Sequence, residues 1–367
     1  MDNKKYNFGA GPCILPDNVL NSASDAVKDY NRTGLSILEI SHRSSEFENV
    51  ISECENLVRE LLGVPDDYSI LFLQGGASTQ FSMVPMCLMQ QHKQAVYLDT
   101  GYFSLKAIKE ARLFGTVRIA ASSKDSDYDY IPYDYHIPGD SAYFHCTSNN
   151  SIEGTEIFTF PETNVPMICD MSSDIFSREI NVANFDLIYA GAQKNMGPAG
   201  LTLVIVKKAL LKGIQNLIPS MSDYRIYDAH NSMFNTPPVF SIYVAMLNLR
   251  WLKEAGGVKQ AEERNIAKAN LLYDAIDNSD HFYGLADKTD RSRMNVTFKM
   301  YSREKETEFM NFAESKGIIG IRGFRSLGGF RASLYNAMDI SGVEVLVQCM
   351  NDFVDNDLFE NFKLKPI

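Results

Sequence analysis

The sequence predicts an α/β protein with a large domain on a mainly parallel sheet flanked by helices, and a smaller α+β domain. Three observations carry this. Over the first two-thirds of the chain, short apolar runs of strand length alternate with segments of helical period, the pattern of a parallel sheet covered on both faces. Beyond Trp251 the pattern changes to a long helix followed by strands and helices. The 367 residues are too many for one ordinary domain and about right for two. We place the boundary at the helix that starts near Gly257. Residues 16–257 then form the large domain, and residues 1–15 and 258–367 the small one.

The elements follow in order. Residues 16–30 read as a capped helix. From Phe47 the apolar positions Val50, Ile51, Cys54, Leu57, Val58, Leu61 and Leu62 keep helical spacing, and Gly63 with Pro65 closes the run. Residues 69–73 form a buried strand entering the Gly75-Gly76 turn. Further short strands are expected at 95–99, 116–120, 142–146, 166–169, 187–190 and 201–206, with helices at 79–89 and 103–114. The polar stretch 122–140 reads as surface. The second unit should contain a helix over 258–276, a strand at 294–300, a helix at 305–315, strands near 318–321 and 329–335, and a final helix from Val343.

Composition excludes several function classes. Lys plus Arg number 35 and Asp plus Glu 46, so the net charge is 35 − 46 = −11. Such a surface suits neither nucleic acid nor an anionic membrane. No apolar run reaches the ~18–20 residues that span a bilayer, and the first residues lack the apolar core of a signal peptide. The six cysteines (13, 54, 87, 146, 169 and 349) are scattered, as reduced core thiols are, and the histidines lack metal-ligand spacing. The expectation is a cytoplasmic protein without a metal site.

The chemistry concentrates in a few places. Phe185–Val206 reads as two apolar strands around a loop of small residues that holds one lysine, Lys194. A lysine in a desolvated pocket has a lowered pKa and can form a Schiff base; a solvated hairpin lysine is the alternative. Asp170 ends a strand, where parallel sheets bind ligands, although a turn or helix-capping aspartate fits equally. Gly75-Gly76-Ala77-Ser78 sits between a strand and a helix, where free N–H groups suit a phosphate. No acidic residue occurs from Ser315 to Met338, while Lys316, Arg322, Arg325 and Arg331 do, which suggests an anion site or else a protected sheet edge.

The stretches FGAGPCILP, Ser41-His42-Arg43, YAGAQKNMGPAGLTLVIV, NTPP, RSRMNV and GGFRASLYNAM, in this order over nearly the whole chain, resemble the phosphoserine aminotransferase family. The resemblance implies a fold-type I architecture, pyridoxal 5′-phosphate as cofactor, a homodimer, and glutamate and a phosphorylated 2-oxo acid as substrates. The expected reaction turns 3-phosphohydroxypyruvate and glutamate into phosphoserine and 2-oxoglutarate. Family members extend to a second phosphorylated keto acid in pyridoxine biosynthesis. Position by position, Lys194 would carry the cofactor and Asp170 would face its ring nitrogen. Ala77 and Ser78 would cup its phosphate, Phe103 would stack on its ring, and Ser151 and Gln193 would touch it. Asn235 and Thr236 would reach the phosphate of the other subunit. Arg331 would pair with the α-carboxylate, and His42, Arg43 and Arg325 would hold the distal anion. Two departures remove positive charge: Phe324 stands where the family usually has His, and Ser78 where it often has Arg. The alternatives are a related enzyme of the same architecture acting on another substrate, and a non-catalytic phosphate-binding module, which would be colourless.

Overall fold

The computed structural model describes residues 5–89, 94–215, 217–325 and 327–363. Seven strands form a central sheet in the spatial order Tyr68–Leu73, Thr202–Lys207, Leu187–Gly191, Met167–Asp170, Phe144–Thr147, Gln94–Asp99 and Thr116–Ser122. Each lies within two residues of a strand expected from its apolar run. Only Thr202–Lys207 runs against its neighbours; the other pairings are parallel. A short return makes antiparallel neighbours, whereas parallel ones need a crossover, as the helix Tyr102–Ala111 provides between Gln94–Asp99 and Thr116–Ser122; the helix Gly76–Leu88 leads from Tyr68–Leu73 across the sheet to Gln94–Asp99.

Strand alternation divides the apolar side chains between two cores. Ile188 and Ala190 enter the core covered by the helices Asp17–Lys28, Ser45–Leu62 and Val239–Glu254, and Leu187 and Tyr189 enter the one covered by Gly76–Leu88 and Tyr102–Ala111. Ser45–Leu62 starts where the Ser44 hydroxyl accepts from Phe47 N–H, and ends where Gly63 adopts φ +60°. Val239–Glu254 is a helix that the sequence pattern did not announce. Its residues Ile242, Tyr243, Val244, Ala245, Met246, Leu249 and Leu252 are all buried, so no polar face marks its period.

A third core gathers Phe8, Leu272, Ile276, Phe298, Phe309, Phe330 and Leu346. It lies between the antiparallel sheet Phe282–Gly284, Asn295–Met300, Phe330–Ser333 and the helices Gly257–Asp277, Glu306–Ser315 and Ile340–Lys363. The strand Tyr6–Asn7 joins it by pairing in parallel with Ile318–Ile319. Gly257–Asp277 serves both units: Val258 and Ala261 pack in a large-sheet core, Leu272 and Ile276 in the smaller one. Among the described residues no helix is long and apolar enough to cross a membrane.

A buried ion cluster backs the strand ends. Arg178 Nε lies 3.0 Å from Glu156 Oε1, and its Nη2 lies 3.2 Å from Asp174 Oδ2. Burial pushes both carboxyls up, and the guanidinium opposes this. Arg178→Met would leave two buried carboxylates without their cation, at a cost of about 3–5 kcal/mol. Both would then titrate well above their unfolded values, so the folded variant would gain protons as the pH falls and its deficit would shrink toward acid. Calorimetry should show a larger loss of melting temperature at pH 8 than at pH 5.5; equal losses would contradict this account of the cluster.

Candidate active site

Lys194 sits in the return between Leu187–Gly191 and Thr202–Lys207. Its loop is tight because small residues allow close approach: a Cβ on Gly197 would lie 3.0 Å from Ala245 Cα of the helix behind it. The backbone is fixed from three sides. Cys13 N–H donates to Gln193 O (3.1 Å) and the Cys13 thiol donates to Lys194 O. Asn248 Nδ2 donates to Asn195 O and Met196 O at 2.9 and 3.1 Å. Asn336 N–H donates to Asn195 Oδ1 at 2.9 Å. The ammonium lies 5.4 Å from the centre of the Phe103 ring. Burial holds the Lys194 amine below the ordinary lysine value; Asp170 opposes this and Arg331 adds to it.

Asp170 ends its strand in register with Thr147 and Tyr189 and is 4% exposed. Its Oδ1 accepts from Ser172 N–H at 2.9 Å. Burial raises its pKa against the pull of Ser172 and Lys194. A cation brought against it would keep it ionised. Beside it the Thr147 hydroxyl is buried without a partner and faces the same cleft.

At one end of the cleft the helix Gly76–Leu88 starts after Gly75, whose φ is +95°. A Cβ there would fall 1.8 Å from Thr79 Oγ1, so only glycine fits. The first turn holds no acidic residue, and Ala77 and Ser78 line the cleft, which makes a seat for an anion. At the other end Arg331, from the strand Phe330–Ser333, donates from Nη1 to Ser151 O at 3.0 Å, while its Nε is buried without a partner.

The cleft measures about 330 Å³. Eight expected residues converge on it: Ala77, Ser78, Phe103, Ser151, Asp170, Gln193, Lys194 and Arg331. Five lie elsewhere in the single chain. Arg43 is exposed in the turn before Ser45–Leu62, and the neighbouring His42 is half-buried with Nε2 unpartnered. Arg325 is exposed beside a separate 310 Å³ groove, and Phe324 lines both hollows. Thr236 is exposed; its carbonyl accepts from Asn235 Nδ2 (3.3 Å) and from Gln74 Nε2 (3.2 Å), next to the glycine turn but outside the cleft. A larger groove of about 510 Å³ along Tyr68–Leu73 contains none of the thirteen.

Sequence reasoning passed over Thr147, Ser172 and Gly11. Thr147 ends a parallel strand next to Asp170, so the rule that found Asp170 would also have found it. Gly11 has φ +129°, and a Cβ there would lie 3.5 Å from Lys194 Cγ. The whole donor set is an anion seat, a carboxylate, an unpartnered hydroxyl, an aromatic face and a weakly basic amine. It fits a flat heteroaromatic ring that carries a phosphate, a basic nitrogen and an aldehyde.

Residues 5–346 match the family model described as aminotransferase class-V. A phosphoserine aminotransferase of Flavobacterium johnsoniae is 55% identical over 348 residues, 95% of this chain and 98% of that protein. The solved phosphoserine aminotransferase of Bacillus circulans subsp. alkalophilus superposes with a TM-score of 0.95 at 45% identity, covering 97% of this chain and 100% of that one. A pyridoxal-phosphate-bound phosphoserine aminotransferase of Trichomonas vaginalis gives 0.91 at 36% identity, covering 95% and 100%.

The charges around Lys194 make a signed prediction. In ligand-free protein, reductive methylation of Lys194 followed by mass spectrometry should titrate below the ordinary lysine value. Asp170→Asn removes an opposing anion and should lower the midpoint further, whereas Arg331→Met removes a cation and should raise it. Shifts of the opposite sign would show that these groups do not share the cleft.

Proposed function

The chain belongs to the class-V aminotransferase family, and we propose how its cleft converts 3-phosphohydroxypyruvate and L-glutamate into O-phospho-L-serine and 2-oxoglutarate. The observation that carries the reading is the convergence of Lys194, Asp170 and Arg331 on one cleft with a glycine-turn anion seat at its end. Pyridoxal 5′-phosphate, the cofactor, supplies when bound an electron sink for the charge left at the substrate α-carbon. Lys194 would hold it covalently, Asp170 would face its ring nitrogen, and Phe103 would cover its ring. The N–H groups of Ala77 and Ser78 would meet its phosphate, with Ser151 and Gln193 at its edge.

The rest is the work of the chain's own groups. Lys194 Nζ, its basicity lowered by burial, takes the proton from the α-carbon of glutamate and later supplies one to the α-carbon of the incoming keto acid. Asp170 stays ionised against a positive ring. Arg331 presents its guanidinium to the α-carboxylate that both substrates share. The distal group is a carboxylate in one substrate and a phosphate in the other, and arginines serve both. Arg325 lies beyond Phe324 at the cleft's edge, and His42 and Arg43 lie outside it in one chain. We assign His42 and Arg43, with Asn235 and Thr236, to the neighbouring site of a homodimer. In this reading residues 16–257 hold the cofactor, and residues 1–15 with 258–367 carry the substrate arginines. All six cysteines are free thiols, which suits a cytoplasmic enzyme.

Lys194→Ala should abolish transamination and leave the fold intact by circular dichroism. Borohydride should fix the cofactor to wild-type protein at Lys194 and leave the variant unmodified. A modified peptide from elsewhere in the chain would overturn the assignment.

The arginines separate by substrate. Loss of a charged partner costs about 2–5 kcal/mol, tens- to thousands-fold in kcat/KM. Arg331→Ala should slow glutamate and alanine alike. Arg325→Ala should slow glutamate and 3-phosphohydroxypyruvate and spare alanine, which has no distal anion. Equal slowing of alanine by Arg325→Ala would reverse the orientation of the substrate between the two arginines.

A further inference from the structure

Two residues from Ser151, whose carbonyl holds Arg331, the chain buries a carboxylate with no evident structural need for its charge. Glu153 sits at the tip between Asn149–Asn150 and Thr155–Glu156 and is 6% exposed. The tip cannot move aside: Thr297 Oγ1 donates to Glu153 O at 2.9 Å, and a Cβ on Gly154 would strike that same hydroxyl at 2.3 Å. Glu153 Oε1 accepts the N–H of Tyr102 at 2.8 Å, in the first turn of the helix that carries Phe103. Oε2 is buried with no partner and packs on Gly101, where a Cβ would fall 2.6 Å from it. Arg331 also has an unpartnered buried atom, Nε. The two charges act on each other's protonation without forming an ion pair. The other polar neighbours that interact with Glu153 are the Asp99 carboxylate, at the end of Gln94–Asp99, and the Tyr128 hydroxyl, from the loop beyond Thr116–Ser122. Asp99 itself is occupied by the hydroxyls of Ser104, Ser122 and Tyr128.

We propose that Glu153 is a positioning residue for the substrate carboxylate: while Arg331 is free, Glu153 is its diffuse counter-charge, and when a carboxylate docks on Arg331, Glu153 takes one proton from solvent. The step balances as one proton gained by Glu153 for one carboxylate bound. It removes the repulsion between two anions that act on a single guanidinium, and the Tyr102 bond that holds Phe103 in place survives. A glutamate with both oxygens satisfied would be locked in its charge; the empty Oε2 leaves room for the proton. Burial already raises the Glu153 carboxyl to about 7, with Asp99 adding to this and Tyr102 N–H and Arg331 opposing it. A second anion nearby raises it further, so carboxylate binding takes up a proton and weakens as the pH rises above 7. The limit is tenfold per pH unit.

The proposal rests on Arg331 being the α-carboxylate site, and the test separates the two claims. 2-Oxoglutarate does not itself titrate between pH 6 and 8 and forms a non-productive complex with the cofactor-loaded aldehyde form of the enzyme. Its binding at pH 7.5 is measured by calorimetry in buffers of different ionisation enthalpy, and the cofactor's own protonation is followed by absorbance. About three-quarters of Glu153 is ionised at that pH if its value is about 7. Wild-type protein should therefore take up close to that fraction of a proton per ligand beyond the cofactor's share, and Kd should rise about fivefold from pH 7 to pH 8. Glu153→Gln, which keeps an acceptor for Tyr102 N–H, should lose both effects, and Glu153→Asp should keep them. Absence of the extra proton in wild-type protein overturns the proposal even if no variant folds. Undiminished uptake in Glu153→Gln also overturns it. If Arg331→Gln binds 2-oxoglutarate as wild type does, the carboxylate site is wrong and the proposal falls with it. If that variant loses binding while Glu153→Gln behaves as wild type, only the role of Glu153 falls.

Discussion

The site depends on one constraint: the chain must reverse direction within the sheet between Leu187–Gly191 and Thr202–Lys207. That return makes one of the two antiparallel pairings in the sheet, the other being Thr202–Lys207 with Tyr68–Leu73, and it lies at the C-terminal end of the parallel strand Leu187–Gly191. A tight reversal there needs small residues, so nothing bulky can screen Lys194. Its amine is left among desolvating walls, with the Asp170 carboxylate near enough to oppose the loss of charge. The lowered basicity of the lysine is thus a consequence of topology.

The second requirement is that a cleft between two cores keep its width. Polar side chains do this, because their bonds fix direction where apolar packing would slide. Asn336 donates its N–H to Asn195 Oδ1 and accepts from Asn265 Nδ2 at 2.8 Å. Lys268, 1% exposed, donates to the carbonyls of Leu334, Tyr335 and Met338 at 2.7, 2.9 and 3.0 Å. Asn149, in the cleft wall, donates to Asn295 Oδ1 and accepts from Ser292 Oγ. The segment that follows the strand of Arg331 is thus bonded, through Asn336, to Asn195 beside Lys194.

Much of this was legible in the sequence. The seven strands stood out because each is a short apolar run, and the lysine loop because a lysine among glycines, alanines and a proline has little packing role there. The helix Val239–Glu254 did not stand out, since burial on all sides erases the amphipathic signal. Glu153 was passed over for a different reason: an unsatisfied oxygen is a property of three-dimensional surroundings and leaves no trace in residue type. Arg43 and Arg325 were read as cleft residues from family resemblance, yet their turns lie outside the hollow of one chain. Sequence position does not say which turns of a chain line one hollow.

The central claim is that this cleft carries an amino group from one anionic substrate to another. The most direct measurement is the absorption spectrum of the purified enzyme through one cycle. Glutamate alone should bleach the yellow colour, and 3-phosphohydroxypyruvate should then restore it at a stoichiometry of one per site. A spectrum that glutamate leaves unchanged, or one that pyruvate restores as readily as its phosphorylated analogue, would contradict the account.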